Sequence, residues 1–366
     1  MTSGSGGGRG PADRPNPPVV VVSPLPDQLE PLAGLLARAG CEVRRLPTDP
    51  GFGWDGDTIE RWLRPADALV GIFGQAPIEA DALDGAPRLR VVTSPIIGTE
   101  TIDVAGCTER GIAVAYGATP ENTEGMAEAI VMLIAALRKR LGPKLQAGAD
   151  GSWRPAGGVG NLVRGSTVGL VGYGAIGRAT AARLAGWGCR LVAADPHVDQ
   201  VAIAADGVEP LPLDDLLAES DVVSLAVTLG PATRNLIDRG RLARMKPGSF
   251  LINAARGGLV DEAALLDALE RGRLGGAAID TWVDEGPGTS SPLRGHPRVL
   301  ATGHNVGHST ELYASHPPAA RDNTLLALAG MPPRHLRNPE VLPAWRARLA
   351  ALDRADPPAP IPVPES

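Results

Sequence analysis

The stretch from Thr167 to Pro196, TVGLVGYGAIGRATAARLAGWGCRLVAADP, constrains the fold more than any other part of the chain. Val168, Gly169, Leu170 and Val171 make a short apolar run of strand type. Gly172-Tyr173-Gly174-Ala175-Ile176-Gly177 follows, a GxGxxG, and then a helical pattern in which Ala181, Leu184 and Ala185 share one face. Leu191 to Ala194 is a second apolar strand and ends in Asp195. Strand, glycine loop, helix and strand make a βαβ unit with a dinucleotide fingerprint. Gly172 permits the tight turn, Gly174 lets backbone approach a pyrophosphate, and Gly177 lets the helix pack close to the strand. The helix N-terminus then offers unbonded N–H groups and a partial positive charge to the phosphates. Asp195 lies 18 residues past Gly177. A carboxylate there accepts hydrogen bonds from the ribose hydroxyls of NAD and repels the extra phosphate of NADP. Pro196 and His197 follow, with no Arg to cradle that phosphate, so NAD is the expected cofactor.

A length of 366 residues leaves room for two domains. A net charge of −6 argues against nucleic acid as a main partner, which needs a basic face. The apolar run Ala129 to Leu137 is too short to span a bilayer, and the N-terminus lacks an apolar signal-peptide core. Cys41, Cys107 and Cys189 are far apart and form no CxxC. They read as buried thiols in a reducing cytoplasm, and no metal site is expected.

Along the chain, 1–18 is rich in Gly, Ser and Pro and is expected to be a disordered tail. Strands are expected at 19–22, 41–46, 68–73, 89–93 and 112–115, with helices at 29–39, 57–63 and 101–110. This alternation implies a parallel, doubly wound sheet. One long apolar helix covers 122–141, and 142–165 reads as loop. After the glycine unit, helices are expected at 212–220, 234–244, 261–271 and 312–328, with strands at 221–227, 249–253, 276–280 and 299–302. From Pro332 the chain is Pro-rich, and 354–366 reads as a second disordered tail. The simplest architecture is α/β with two doubly wound parallel-sheet domains, the second inserted in the first. The outer domain takes 19–119 and 313–350, and the inserted nucleotide domain takes 120–312.

Three later stretches carry candidate chemistry. Leu251-Ile252-Asn253-Ala254-Ala255-Arg256-Gly257-Gly258 runs from an apolar strand into an Arg. In an open α/β sheet ligands bind beyond the carboxyl ends of strands, and the planar guanidinium suits a bidentate grip on a carboxylate. Gly276-Ala277-Ala278-Ile279-Asp280 is another strand ending in an acid, with Glu285 five residues later. Ala301-Thr302-Gly303-His304 places an imidazole after a third strand, where it can carry a proton near neutral pH. A carboxylate on its far nitrogen would fix the tautomer.

The order GYGAIG, Asp195, NAARGGLVDE, AAIDTWVDEGP and TGHNVGHST resembles the D-isomer-specific 2-hydroxyacid dehydrogenase family over most of the chain. Upstream, Ile97-Gly98-Thr99-Glu100-Thr101-Ile102-Asp103 resembles that family's substrate loop, and Pro120-Glu121-Asn122 the start of its interdomain helix. The resemblance implies a Rossmann NAD-binding domain inserted in a flavodoxin-like substrate domain, hydride transfer between NAD(H) and a small D-2-hydroxy acid or its 2-keto acid, and a homodimer. It implies that Arg256 binds the substrate carboxylate and polarises the keto oxygen. His304 would be the proton carrier and Glu285 its orienting carboxylate. Backbone N–H groups around Ile97 and Gly98 would hold the carboxylate from the other domain. Ala175 and Ile176 would meet the pyrophosphate, Asp195 the adenosine ribose, and Ala254 and Asp280 the nicotinamide end. Thr228, Thr233 and Gly307 join the cofactor-binding positions.

The chain departs from the family pattern at Gly303, where Pro usually precedes the His. It departs also at Ala226-Val227-Thr228 in place of His-x-Pro, and at Ile96 where Gly is commoner. Two other readings stay open: an NAD-binding, corepressor-like interaction protein of the same fold, and a different enzyme of related architecture such as an alanine dehydrogenase or a homocysteine-releasing hydrolase.

Overall fold

The computed structural model describes residues 16–364 except Pro50, Gln75, Pro287, 155–156 and 356–358. Positions 1–15 and 365–366, where the expected tails begin and end, lie outside the described residues. The chain divides into two compact units, one formed by 1–119 with 310–366 and the other by 120–309.

The first unit runs β1 (Val19–Val22), α1 (Pro31–Arg38), β2 (Glu42–Arg45), α2 (Gly56–Thr58, continuing as a wider turn to Leu63), β3 (Ala68–Val70), α3 (Ala80–Asp84), β4 (Val91–Ser94), α4 (Val104–Glu109) and β5 (Ala113–Tyr116). All five strands are parallel, in the order β2-β1-β3-β4-β5. Four consecutive β-branched valines make β1, and the two-residue period of a strand sends them to opposite faces. Val20 and Val22 pack with Leu32 and Leu36 of α1. Val21 packs with Leu63, Leu69 and Ile112.

The second unit runs α5 (Pro120–Arg138), α6 (Leu141–Ala149), β6 (Thr167–Val171), α7 (Ala175–Leu184), β7 (Arg190–Ala194), α8 (Gln200–Ala205), β8 (Glu209–Pro210), α9 (Leu213–Glu219), β9 (Val222–Leu225), α10 (Arg239–Arg244), β10 (Phe250–Asn253), α11 (Glu262–Glu270), β11 (Gly276–Ile279) and β12 (Val299–Ala301). Its seven parallel strands lie in the order β12-β11-β10-β9-β6-β7-β8. The order reverses between β6 and β9, which is the switch point where an open α/β sheet binds ligands. Ile130 and Ile134 of α5 and Leu184 of α7 cover one face with Leu170 and Ile252. Leu216 of α9, Leu242 of α10 and Leu265 of α11 cover the other.

The chain re-enters the first unit with α12 (Thr310–Leu328), which packs on β4 and β5, and ends with α13 (Leu342–Ala355). Both units are doubly wound and parallel, as the alternation of elements implies.

Three local readings are corrected. The stretch expected to be loop from 142 opens with α6. Its Pro143 sits in the first turn, where a missing N–H costs nothing. Arg140 turns left-handed before it, with φ of 56°. Its guanidinium donates to Gly275 O at 2.8 Å. The helix expected from Arg234 begins only at Arg239, because Asn235 takes a positive φ of 50° and its N–H bonds to Gly258 O. At the C-terminal end, α13 runs to Ala355, past the expected start of the tail at 354. Beyond it Ala359 N–H bonds to Asn16 O, and Ile361 packs on the core. Trp345 anchors α13, fully buried, with Nε1 donating to Arg90 O at 2.9 Å.

Between α12 and α13 a strap from Arg334 to Asn338 closes the open edge of β5. Tyr116 N–H bonds to His335 O, and Arg337 N–H to Val114 O. Asn338 is fully buried and completes the edge. Its Oδ1 accepts from Val114 N at 2.8 Å, and its Nδ2 donates to Thr108 Oγ1 and Ile112 O. Asn338→Ala strands these buried groups, and each stranded group costs about 1–3 kcal/mol. The variant is expected to lose about 2–4 kcal/mol of unfolding free energy, read from urea titrations with an unchanged m-value.

Candidate active site

The three fingerprint glycines differ in what surrounds them. Gly172 has a φ of 94°, and a Cβ on it would fall 2.5 Å from Ala226 O, so both the turn and the neighbouring chain exclude a side chain. A Cβ on Gly177 would fall 2.5 Å from Gly172 O, so only glycine lets α7 sit this close to its strand. Gly174 faces open space, with nothing within 4 Å of a built Cβ. It is the N-cap of α7 and makes no side-chain cap. Bare backbone, the N–H groups of Ala175 and Ile176 at a helix start, and open room are what a pyrophosphate requires. The residues therefore fit a dinucleotide. Beneath the loop, Tyr173 is fully buried and its hydroxyl donates to Asp206. Burial first, and the Asp206 bond second, push that phenol up to about 12.

Asp195 follows β7, and its carboxylate is already engaged by backbone. Oδ2 accepts from Tyr173 N at 2.8 Å and Oδ1 from His197 N at 2.9 Å. Each carboxylate oxygen has a second lone pair, so ribose hydroxyls can still be accepted. Among the loops beyond β9, Thr233 Oγ1 donates to Thr228 O at 2.7 Å and accepts from Gly230 N. The Thr233 hydroxyl thus shapes the loop, and Thr228 lies exposed.

Arg256 follows β10 and is half-buried. Its Nη1 donates to Ala255 O at 2.7 Å. Asn253, which sequence reasoning named but gave no role, ties this corner: Nδ2 donates to Arg256 O and Oδ1 accepts from Ala255 N. Ala254 is buried between them. A Cβ on Gly257 would meet the Trp282 carbonyl carbon at 2.0 Å, so the loop after β10 lies directly on the loop after β11.

Glu285 and His304 meet. His304 Nδ1 lies 2.8 Å from Glu285 Oε2, with both side chains about two-fifths exposed (43% and 40%). Glu285 Oε1 accepts from Trp282 N at 2.9 Å, which fixes the second oxygen toward the ring. A carboxylate on Nδ1 keeps the proton there and leaves Nε2 for exchange. His304 has a φ of 59°, a left-handed conformation that side chains other than glycine seldom take. Its N–H bond to Asp280 O at 2.7 Å holds it there.

Asp280 is buried, and its Oδ1 collects three donors: Thr302 Oγ1 at 2.6 Å, Asn305 N at 3.0 Å and Val306 N at 3.2 Å. It thus clamps the His304 loop, a role that sequence reasoning missed because its partners lie over twenty residues away. Gly307 packs on α5, where a Cβ would overlap Met126. Burial pushes the His308 imidazole below its ordinary range, with the His304 charge acting the same way and Asp280 opposing. Ile97 and Gly98 belong to the other unit, in the loop after β4.

The second unit is thus a dinucleotide-binding α/β fold with an Arg and a Glu–His pair on later strand ends. Residues 131–306 match the family model described as D-isomer specific 2-hydroxyacid dehydrogenase, NAD binding domain. The chain is 36% identical over 314 residues to D-3-phosphoglycerate dehydrogenase of Mycobacterium tuberculosis, covering 86% of this chain and 57% of that one. It is 35% identical over 292 residues to glyoxylate reductase of Thermofilum pendens, covering 78% and 85%. The solved structure of NAD-dependent formate dehydrogenase from Staphylococcus aureus in complex with NAD aligns with a TM-score of 0.72 at 26% identity, over 86% of this chain and 96% of that one. This chain belongs to the D-isomer specific 2-hydroxyacid dehydrogenase family. It spans a little over half the length of the curated phosphoglycerate dehydrogenases it matches (57%).

Asp280→Ala removes the acceptor of the Asn305 and Val306 N–H groups. Hydrogen exchange at these two amides is expected to quicken by about tenfold or more, while the β6 amides keep their protection.

Proposed function

We propose that this protein is an NAD-dependent dehydrogenase acting on a small D-2-hydroxy acid or its 2-keto acid. The observation that carries the reading is the Glu285–His304 pair, held beyond β11 and β12 on the same sheet edge as Arg256 and the glycine loop. NADH, when bound, supplies the hydride. Arg256 grips the carboxylate and draws electron density toward the keto oxygen. His304 gives its Nε2 proton to that oxygen, and Glu285 stabilises the imidazolium before the transfer. In the oxidative direction His304 takes the proton back. Ala254 and Asp280 lie toward the nicotinamide end, and Thr228, Thr233 and Gly307 toward the rest of the cofactor. The free N–H groups at Ala175 and Ile176 take the pyrophosphate. Asp195 accepts from the adenosine ribose and favours NAD over NADP. Ile97 and Gly98 keep the carboxylate-binding role that the resemblance implies.

A homodimer through the nucleotide-binding unit is part of the reading. Leu145, Trp153, Val159 and Leu162 are exposed apolar residues on α6 and the chain after it, with Trp153 and Val159 85% and 90% exposed. Exposed apolar side chains along one segment support an interface there. Among the described residues no helix is long and apolar enough to cross a membrane; we place the protein in the cytoplasm. The complete Arg–Glu–His set disfavours a corepressor role without turnover.

Purified protein with NADH or NADPH is tested at neutral pH against glyoxylate, hydroxypyruvate, pyruvate and 3-phosphohydroxypyruvate. Oxidation of NADH, faster than of NADPH, by at least one acid is expected; none with any acid sinks the reading. His304→Gln should cut turnover by about 10²–10⁴-fold without loss of NADH binding. Full activity in that variant removes His304 from the mechanism. Light scattering is expected to give the mass of two chains, and the mass of one would overturn the dimer.

A further inference from the structure

We propose that Arg337 is a positioning residue for a carboxylate site built from the backbone N–H groups of Ile97, Gly98 and Thr99. This rests on the dehydrogenase reading above and adds a determinant of affinity for the acid group of the substrate.

In the loop after β4 the carbonyls of Ile96, Ile97 and Gly98 are tied down. Ile96 O accepts from Gly117 N at 2.9 Å and from Ser94 Oγ at 3.0 Å. Gly98 O accepts from Ser94 Oγ at 2.6 Å. Between them, Ile97 O accepts from Arg337 Nη2 at 2.8 Å. The chain has no cis peptide among its described bonds. In a trans peptide the N–H points opposite to its own carbonyl. The three tied carbonyls of Ile96, Ile97 and Gly98 therefore turn the N–H groups of Ile97, Gly98 and Thr99 away from those anchors. Among the described residues none of these three N–H groups has an acceptor. Ile97 and Gly98 are half-buried, which leaves that part of the row reachable, while Thr99 is buried. Successive unbonded N–H groups are an anion site, and a planar carboxylate accepts from two of them.

Arg337 supplies the middle anchor and also a charge. The strap carries it along the β5 edge, where its guanidinium lies 4.2 Å from the centroid of the Tyr116 ring. Asn323 of α12 fixes the strap at both ends of that contact, accepting from Arg334 N and donating to Tyr116 O. Among the described residues no carboxylate pairs with Arg337, and its Nε is buried without a partner. Its positive charge is thus not neutralised within the unit and favours an anion at the N–H row. Ser94 and Gly117 do their part with backbone and hydroxyl. Gly117 is obligatory, since a Cβ there would lie 2.0 Å from Pro95 O. Only Arg337 brings charge.

Two variants separate positioning from mere bracing of the strap. Arg337→Met keeps an unbranched chain against Tyr116 and removes donor and charge; Arg337→Lys restores both in part. Each is assayed with saturating NADH and the fastest 2-keto acid of the panel above. Oxalate is titrated calorimetrically into the NADH-loaded full chain. For Arg337→Met the keto-acid KM and the oxalate Kd should each rise about tenfold or more, with kcat within about twofold and NADH affinity unchanged. Arg337→Lys should recover part of both. The proposal is overturned if KM and oxalate Kd stay within about twofold of the parent. It is equally overturned if kcat and NADH affinity fall alongside them and Lys restores nothing. If the parent reduces none of the acids, the dehydrogenase reading fails, and the oxalate titrations alone decide the role of Arg337.

Discussion

Seven strands that all run the same way can be joined only by crossovers, and this leaves every carboxyl end on one edge. The site depends on that constraint. Asn253 pairs with Ile279, and Ile279 with Ala301, so three strands stop level with one another. Arg256, Asp280 with Glu285, and His304 are the residues that come next. Strand spacing alone places the first and last of these loops about 10 Å apart at their roots. Contacts between loops then do the fine placement. Gly257 lies on Trp282, Trp282 N–H aims Glu285, and Asp280 fastens the turn that carries His304. The left-handed backbone at His304 persists because these bonds over-determine it.

Features written in short-range pattern were legible in the sequence. The glycine loop, the valine strand β1 and the parallel alternation each follow from spacing over a few residues. The strand ends at Asn253, Ile279 and Ala301 fell within one residue of where apolar runs stopped. Elements held by distant partners were not legible. Helix α6 carries glycines and a proline, and it packs on α5 with Arg140 before it bonded to Gly275 O. Helix α13 lies in a Pro-rich region and is held by Trp345 and Arg348 bonding to carbonyls more than 200 residues earlier. The acceptor role of Asp280 and the strap beside β5 are likewise long-range, and local propensity carries no trace of either. The Glu285–His304 contact was legible only through resemblance, since nineteen residues separate the two with no periodicity linking them.

The Asp195 carboxylate spans two tasks that are easily treated as separable. One of its oxygens holds the Tyr173 N–H inside the glycine loop while the other caps the turn at His197. Exchanging it for a neutral or basic residue, the obvious route to admitting a 2′-phosphate, also removes the acceptor of the Tyr173 N–H inside the glycine loop. On the proposed assignment of Asp195, cofactor choice and loop geometry are therefore inherited together. A lineage of such chains that drifts toward the phosphorylated cofactor must first find another acceptor for Tyr173 N–H, and the order of those two substitutions is set by the geometry of a single carboxylate.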